Sequence, residues 1–75
     1  MQVTIKYGPG NQLTRTLDPG AVMGDIIHDE NIRAVLGFGD NVEPRVDGEV
    51  VRSASHPLRS GDTISLVTKA HSKNA

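Results

Sequence analysis

The sequence predicts an α+β fold in which a mixed sheet of four to five strands carries one main helix on one face. The Asp-Gly pair at residues 47–48 lies between apolar runs and tolerates the positive φ angles of a tight hairpin. The turn at residues 60–62 starts a strand in which Ile64 and Leu66 alternate with polar residues. The element order is hairpin, helix, hairpin or arch, and final strand. We expect the helix to be a right-handed crossover that places the first and last strands side by side and parallel.

Composition sets the class of the protein. The chain has 75 residues, which is enough for one domain; we expect it to span residues 1–69, with residues 70–75 as a flexible tail. The absence of cysteine excludes disulfides and thiol chemistry. The net charge of −1 favours neither nucleic acid nor an anionic membrane. The sequence contains neither a signal peptide nor a transmembrane run, so we expect a cytoplasmic protein without membrane association.

The first two strands are predicted by alternation of apolar and polar residues. Residues 2–7 and 12–17 form a hairpin around a Gly-Pro-Gly-Asn turn, with Leu13 and Leu17 facing the core. Arg15 has the same parity as these leucines. Either it lies at a sheet edge with its charged end in solvent, or a bulge shifts the register.

Helical spacing of apolar residues predicts a short helix over residues 21–28. Gly24 weakens this helix by about 1 kcal/mol relative to Ala unless it is a packing notch. Polar residues predict a break at 29–31 and a second helical turn, with Asn31 as its N-cap and Gly37 in the left-handed position after it. The apolar residues that recur at helical spacing in the two predicted helices are Val22, Met23, Ile26, Ile27, Ile32, Val35 and Leu36.

The second half of the chain is predicted to complete the sheet. Pro44 lacks an N–H, which favours an edge or irregular position in the third strand. Residues 49–52 pair back across the Asp-Gly turn. Leu58 is expected to fill the core, and the final strand spans residues 62–68.

These residues resemble the β-grasp, ubiquitin-like superfamily over residues 1–69. The hairpin, the Asp-Gly turn, the Leu-Arg-Ser-Gly-Asp segment at 58–62 and the last strand are similar to the sulfur carriers of thiamine and molybdopterin synthesis. The run His-Pro-Leu-Arg-Ser-Gly-Asp-Thr at 56–63 is similar to TGS domains. The carriers end in Gly-Gly, which is adenylated and thiolated. This sequence contains no Gly-Gly pair, so that chemistry is not transferred.

No constellation of catalytic or metal-binding residues is predicted. His28 could be combined with Asp25 and Asp29 as a metal site, but its side chain points elsewhere, and a solvated acidic helix end explains the carboxylates. His56 and the serines are turn residues without a partner base, and no phosphate-binding loop is present. We expect no cofactor and no enzymatic activity.

The candidate protein-binding residues are basic. Arg45, Arg52 and Lys69 are expected on the outer sheet face, which the helix leaves free. Phe38, in a Gly-flanked loop, is either a core residue or an exposed binding anchor. We therefore expect a non-enzymatic protein-interaction or adaptor module, monomeric or weakly oligomeric. The alternatives are an atypical sulfur carrier and a TGS-like module that binds RNA.

Overall fold

The computed structural model describes residues 1–69, so the tail predicted over 70–75 lies outside the described residues. The helices and strands, in chain order, are β1 (Gln2–Tyr7), β2 (Gln12–Thr16), α1 (Gly24–Ile27), α2 (Glu30–Leu36), β3 (Val42–Val46), β4 (Glu49–Val50) and β5 (Thr63–Thr68). The strands form one sheet in the order β2-β1-β5-β3-β4, with β1 parallel to β5. The predicted α+β architecture is confirmed, including the parallel pairing of the first and last strands. Within residues 1–69, neither helix has the length and apolar character needed to cross a membrane.

The β1–β2 hairpin has a continuous register, so the alternative of a bulge is wrong. Arg15 lies opposite Val3, which places it on the inner face of an edge strand. It is half-buried, and its Nε is a buried nitrogen without a hydrogen-bond partner among the described residues. The predicted edge position of Arg15 is therefore confirmed, but its Nε is buried rather than in solvent.

The helical region differs from the prediction in the relative lengths of its two helices. The first helix has only four residues and the second has seven, so α2 is the longer of the two. The predicted N-cap was wrong. Asp29 caps α2 by accepting hydrogen bonds from the N–H groups of Asn31 at 2.8 Å and Ile32 at 3.0 Å. Gly37 follows α2 with φ of 84°, which confirms the predicted left-handed position.

Gly24 is a packing notch. Its N–H donates a hydrogen bond of 2.7 Å to the carbonyl oxygen of Ala54, which ties the start of α1 to the segment before β5. A Cβ atom at Gly24 would lie 3.2 Å from that oxygen and 3.3 Å from the Cβ of Ala54. The small residue therefore permits a close backbone approach, at the expense of helix propensity.

The core lies between the two helices and the inner face of the sheet. Its fully buried side chains are Val3, Ile5, Met23, Ile26, Ile32 and Ile64. Leu58 is also buried, as predicted. Val35, although it belongs to the apolar spacing of the second helix, is 59% exposed. The seven-residue α2 buries a narrow stripe through Ile32 and Leu36, and Val35 lies about 100° around the helix from Leu36.

The β3–β4 hairpin turns at Asp47 and Gly48, whose φ angles of 51° and 86° confirm the predicted tight turn. Pro44 is not on an edge strand, because β3 lies between β5 and β4. Its carbonyl accepts a hydrogen bond of 2.9 Å from the N–H of Val51, and it has no N–H to donate in return. The proline thus lies where the short β3–β4 ladder ends.

Candidate functional site

The outer face of the sheet is free of helices in the described part of the chain. The inward-facing residues of β1 and β5 pack with residues of both helices in one apolar cluster. The helices therefore cover the inner face of the sheet. On the outer face, Arg45 lies opposite Ser65 of β5 and Val50 of β4, and Glu43 lies opposite Val67. Val50 and Val67 are 39% and 40% exposed. The outer face therefore combines two exposed valines with charged and hydroxyl side chains.

Arg45 and Glu43 form an ion pair on this face. The Nε and Nη2 atoms of Arg45 donate to Oε1 of Glu43 at 3.1 Å and 2.8 Å. Alternation along a strand places residues i and i+2 on the same face, which brings these two together. Because the guanidinium is paired within the protein, Arg45 contributes less to long-range steering than an unpaired arginine would.

Arg52 and Lys69 lie just beyond the ends of β4 and β5, and both are exposed. Neither side chain has an ion-pair partner within residues 1–69. Lys69 borders one depression together with Arg45, Glu43 and Val67. It borders a second depression together with Arg52 and Glu43. The three predicted basic residues are thus arranged around Glu43 at one end of the outer face.

Phe38 does not belong to this surface. It is 5% exposed and belongs to the apolar core, and its ring centroid lies 5.8 Å from that of Tyr7. Of the two alternatives for Phe38, the core residue is correct and the exposed anchor is wrong. The left-handed turn at Gly37 reverses the chain after α2 and directs the ring toward Tyr7.

Arg33 has a role that the sequence analysis missed. Its Nε donates to the carbonyl oxygen of Ile27 at 2.7 Å, and its Nη2 pairs with the carboxylate of Asp40. Its guanidinium carbon also lies 5.8 Å from the ring centroid of Phe38. The hydrogen bond and charge of Arg33 lower the pKa of Asp40 below its ordinary value. The sequence signal that could have indicated this role is a basic residue in the last turn of the second predicted helix.

The carboxylates at the acidic helix end, Asp25 and Asp29, accept hydrogen bonds from backbone N–H groups. Asp25 accepts a hydrogen bond of 2.8 Å from the N–H of Val22, and Asp29 caps α2. Within residues 1–69, no group of three or more His, Cys, Asp or Glu side chains is arranged to hold a metal ion. His71, the third histidine, lies outside the described residues.

Comparisons with known proteins support the fold. No family model matches the sequence, and no curated protein matches it. Several solved structures are similar to this chain, including the following three. SAMP1 of Haloferax volcanii has 16% identity and a TM-score of 0.73, with 93% of this chain and 97% of that chain covered.

The ubiquitin of Caldiarchaeum subterraneum has 19% identity and a TM-score of 0.72, with 96% of each chain covered. A complex of subunits 1 and 2 of the molybdopterin-converting factor of Helicobacter pylori matches with 15% identity and a TM-score of 0.61. That match covers 95% of this chain and 97% of the matched chain. At such low identities, the similarity shows the fold alone. The chain has the β-grasp, ubiquitin-like fold that the resemblance implied.

Proposed function

We propose that this protein is a non-enzymatic, ubiquitin-like module that binds another protein through the end of its outer sheet face. The observation that carries the proposal is the placement of Arg45, Arg52 and Lys69 around Glu43, beside the exposed Val67. Exposed apolar area bordered by charged residues is typical of protein-binding surfaces.

Unpaired cations at this surface suit a partner with an acidic patch. Attraction between opposite charges raises the rate of association and makes that rate fall with salt concentration. Arg52 and Lys69 supply this attraction, because Arg45 is already paired with Glu43. Arg45 instead provides a fixed, planar hydrogen-bonding group between two exposed valines.

The proposal is tested by affinity capture from extracts of the source cell, followed by association kinetics with the purified captured protein. The variant Arg45→Glu/Arg52→Glu should associate more slowly than the wild type, and its rate should depend less on salt because attraction has been lost. Reversal of the exposed Arg52 should change the stability by only about 0.5 kcal/mol or less. Arg45→Glu also removes the ion pair with Glu43, so the fold of the double variant is checked by circular dichroism. Thr16→Glu, on the opposite edge strand β2, is the control for a charge change far from the proposed surface.

The proposal is wrong if no protein is captured, or if the double variant associates at the wild-type rate. Loss of binding on Val35→Asp in place of the double variant would assign the interaction to α2, where Val35 is exposed. Formation of an adenylate with an activating enzyme and ATP would favour the sulfur-carrier alternative. A salt-sensitive complex with transfer RNA would favour the RNA-binding alternative.

A further inference from the structure

A shallow groove runs along the sheet edge where β4 ends. Its floor includes Ile27 of α1, Val42 of β3 and Val51. Residues 51–54 lie along the groove, and Ala54 is held by its hydrogen bond from Gly24. Apolar side chains at the floor therefore lie beside charged side chains on the rim, and this side of the groove is fixed to the start of α1.

The backbone beside the groove suits an extended segment. The β3–β4 ladder has two residue pairs, and the Val51 N–H adds one hydrogen bond to the carbonyl of Pro44. Because backbone groups alternate in direction along a strand, those of Val42 point to the same side as those of Pro44. At Val42 the partner strand has already ended. A chain lying beside Val42 would therefore extend the sheet in the manner of a bound peptide strand.

The charges on the groove rim determine which sign of charge a bound chain should carry. Two acidic residues, Asp40 and Glu43, border the groove, and each is paired with an arginine of the same protein, Arg33 and Arg45 respectively. The two basic residues on the rim, Arg52 and Lys69, have no ion-pair partner in the described chain. The unpaired rim charge is thus positive, and it complements carboxylates.

We infer that this groove binds an extended segment of a partner protein in which aliphatic residues alternate with Asp or Glu. This inference rests on the proposed protein-binding function and assigns a place and a chemistry to part of the contact. Aliphatic side chains of the segment lie on the floor at Val42 and Val51. Its carboxylates pair with Arg52 and Lys69, and its backbone pairs with β3.

The test uses the blocked synthetic peptide Glu-Val-Glu-Ile-Glu-Val-Glu and the isotopically labelled full chain. Titration followed by amide chemical shifts should move the signals of Val42, Val51 and Ala54 to saturation. Added salt should weaken the binding because it depends on attraction between unpaired charges. A matched peptide with Lys in place of every Glu should cause no such shifts.

Charge-reversal variants distinguish binding in the groove from general electrostatic attraction to the whole protein. Arg52→Glu/Lys69→Glu should weaken peptide binding by about tenfold or more. Lys6→Glu/Arg59→Glu makes the same change in net charge at exposed positions outside the groove and should leave the affinity within about twofold. Equal loss of affinity in both double variants would overturn the inference, as would shifts confined to the outer-face residues Thr4 and Ser65.

Binding of a second copy of the protein or of RNA in the groove would give different results in these experiments. Self-association that is lost in Arg52→Glu/Lys69→Glu, without added peptide, would assign the groove to a second copy and overturn the inference. Displacement of the peptide by a short oligouridylate at lower concentration would assign it to RNA and overturn it as well. If a protein partner is captured but the peptide does not bind, the inference fails and the proposed function stands. If neither binds, both fail.

Discussion

Gly24 and Ala54 are in close backbone contact, with a hydrogen bond of 2.7 Å from the amide of the first to the carbonyl of the second. This contact joins the start of α1 to the segment that precedes β5. Crowding at this contact decides the outcome of substitutions at Gly24.

Gly24→Ala should destabilise the protein by about 1 kcal/mol, because the new Cβ would lie 3.2 Å from the Ala54 oxygen and the neighbouring segment must move. The helix-propensity gain of Ala is small here, since Gly24 is the first residue of a four-residue helix. Urea unfolding measures the change. Gly39→Ala is the control, because its Cβ meets open space and its φ is not in the left-handed region. Equal stability of Gly24→Ala and the wild type would contradict this expectation.

Asp29→Ala should lower the free energy of unfolding by about 1 kcal/mol through loss of the α2 N-cap. Asp29→Asn retains an oxygen that can accept from the N–H groups of Asn31 and Ile32, so it should remain within a few tenths of a kcal/mol of the wild type. Thermal unfolding of both variants, followed by circular dichroism, is the measurement. A loss of the same size in Asp29→Asn would show that the charge acts rather than the cap.

Phe38→Ala should destabilise the protein by about 3 kcal/mol or more, since the ring is buried against Tyr7. Because so large a loss approaches the total stability of a small domain, Phe38→Leu is the second variant, with an expected cost of about 1 kcal/mol. Folded Phe38→Leu should bind the captured partner as the wild type does. Selective loss of binding at unchanged stability would restore Phe38 as a binding residue.

The carboxyl of Asp40 should titrate below the ordinary range of an aspartate, because Arg33 donates a hydrogen bond to its charged form. The pKa is lower in the folded than in the unfolded protein. The stabilisation is therefore present above the unfolded pKa and is lost as the pH falls through the folded one. Carbon chemical shifts of the carboxyl group report the titration. In Arg33→Gln the pKa should rise toward the ordinary value, and an unchanged pKa would exclude Arg33 as the cause.

The sequence was sufficient for the turns, the parallel pairing of the first and last strands and much of the core, but not for the internal position of β3. Asp47, Gly48 and Gly37 have backbone angles that depend on local sterics, so residue type alone indicates them. Alternation in β1 and β5 reports which face is buried, because the period of a strand is two. Given those segments, the handedness of the crossover leaves few arrangements, and parallel pairing of β1 with β5 was among them.

The tertiary structure decided the features that depend on contacts between distant residues. The exposure of Val35 follows from how little of α2 the sheet covers, and the burial of Phe38 follows from the position of Tyr7. The pairing of Arg33 with Asp40 requires the chain reversal after α2. Lys69 and Arg52 approach the same groove because β5 and β4 end at the same side of the sheet. Periodicity carries no information on such approaches, because they arise only when the elements pack.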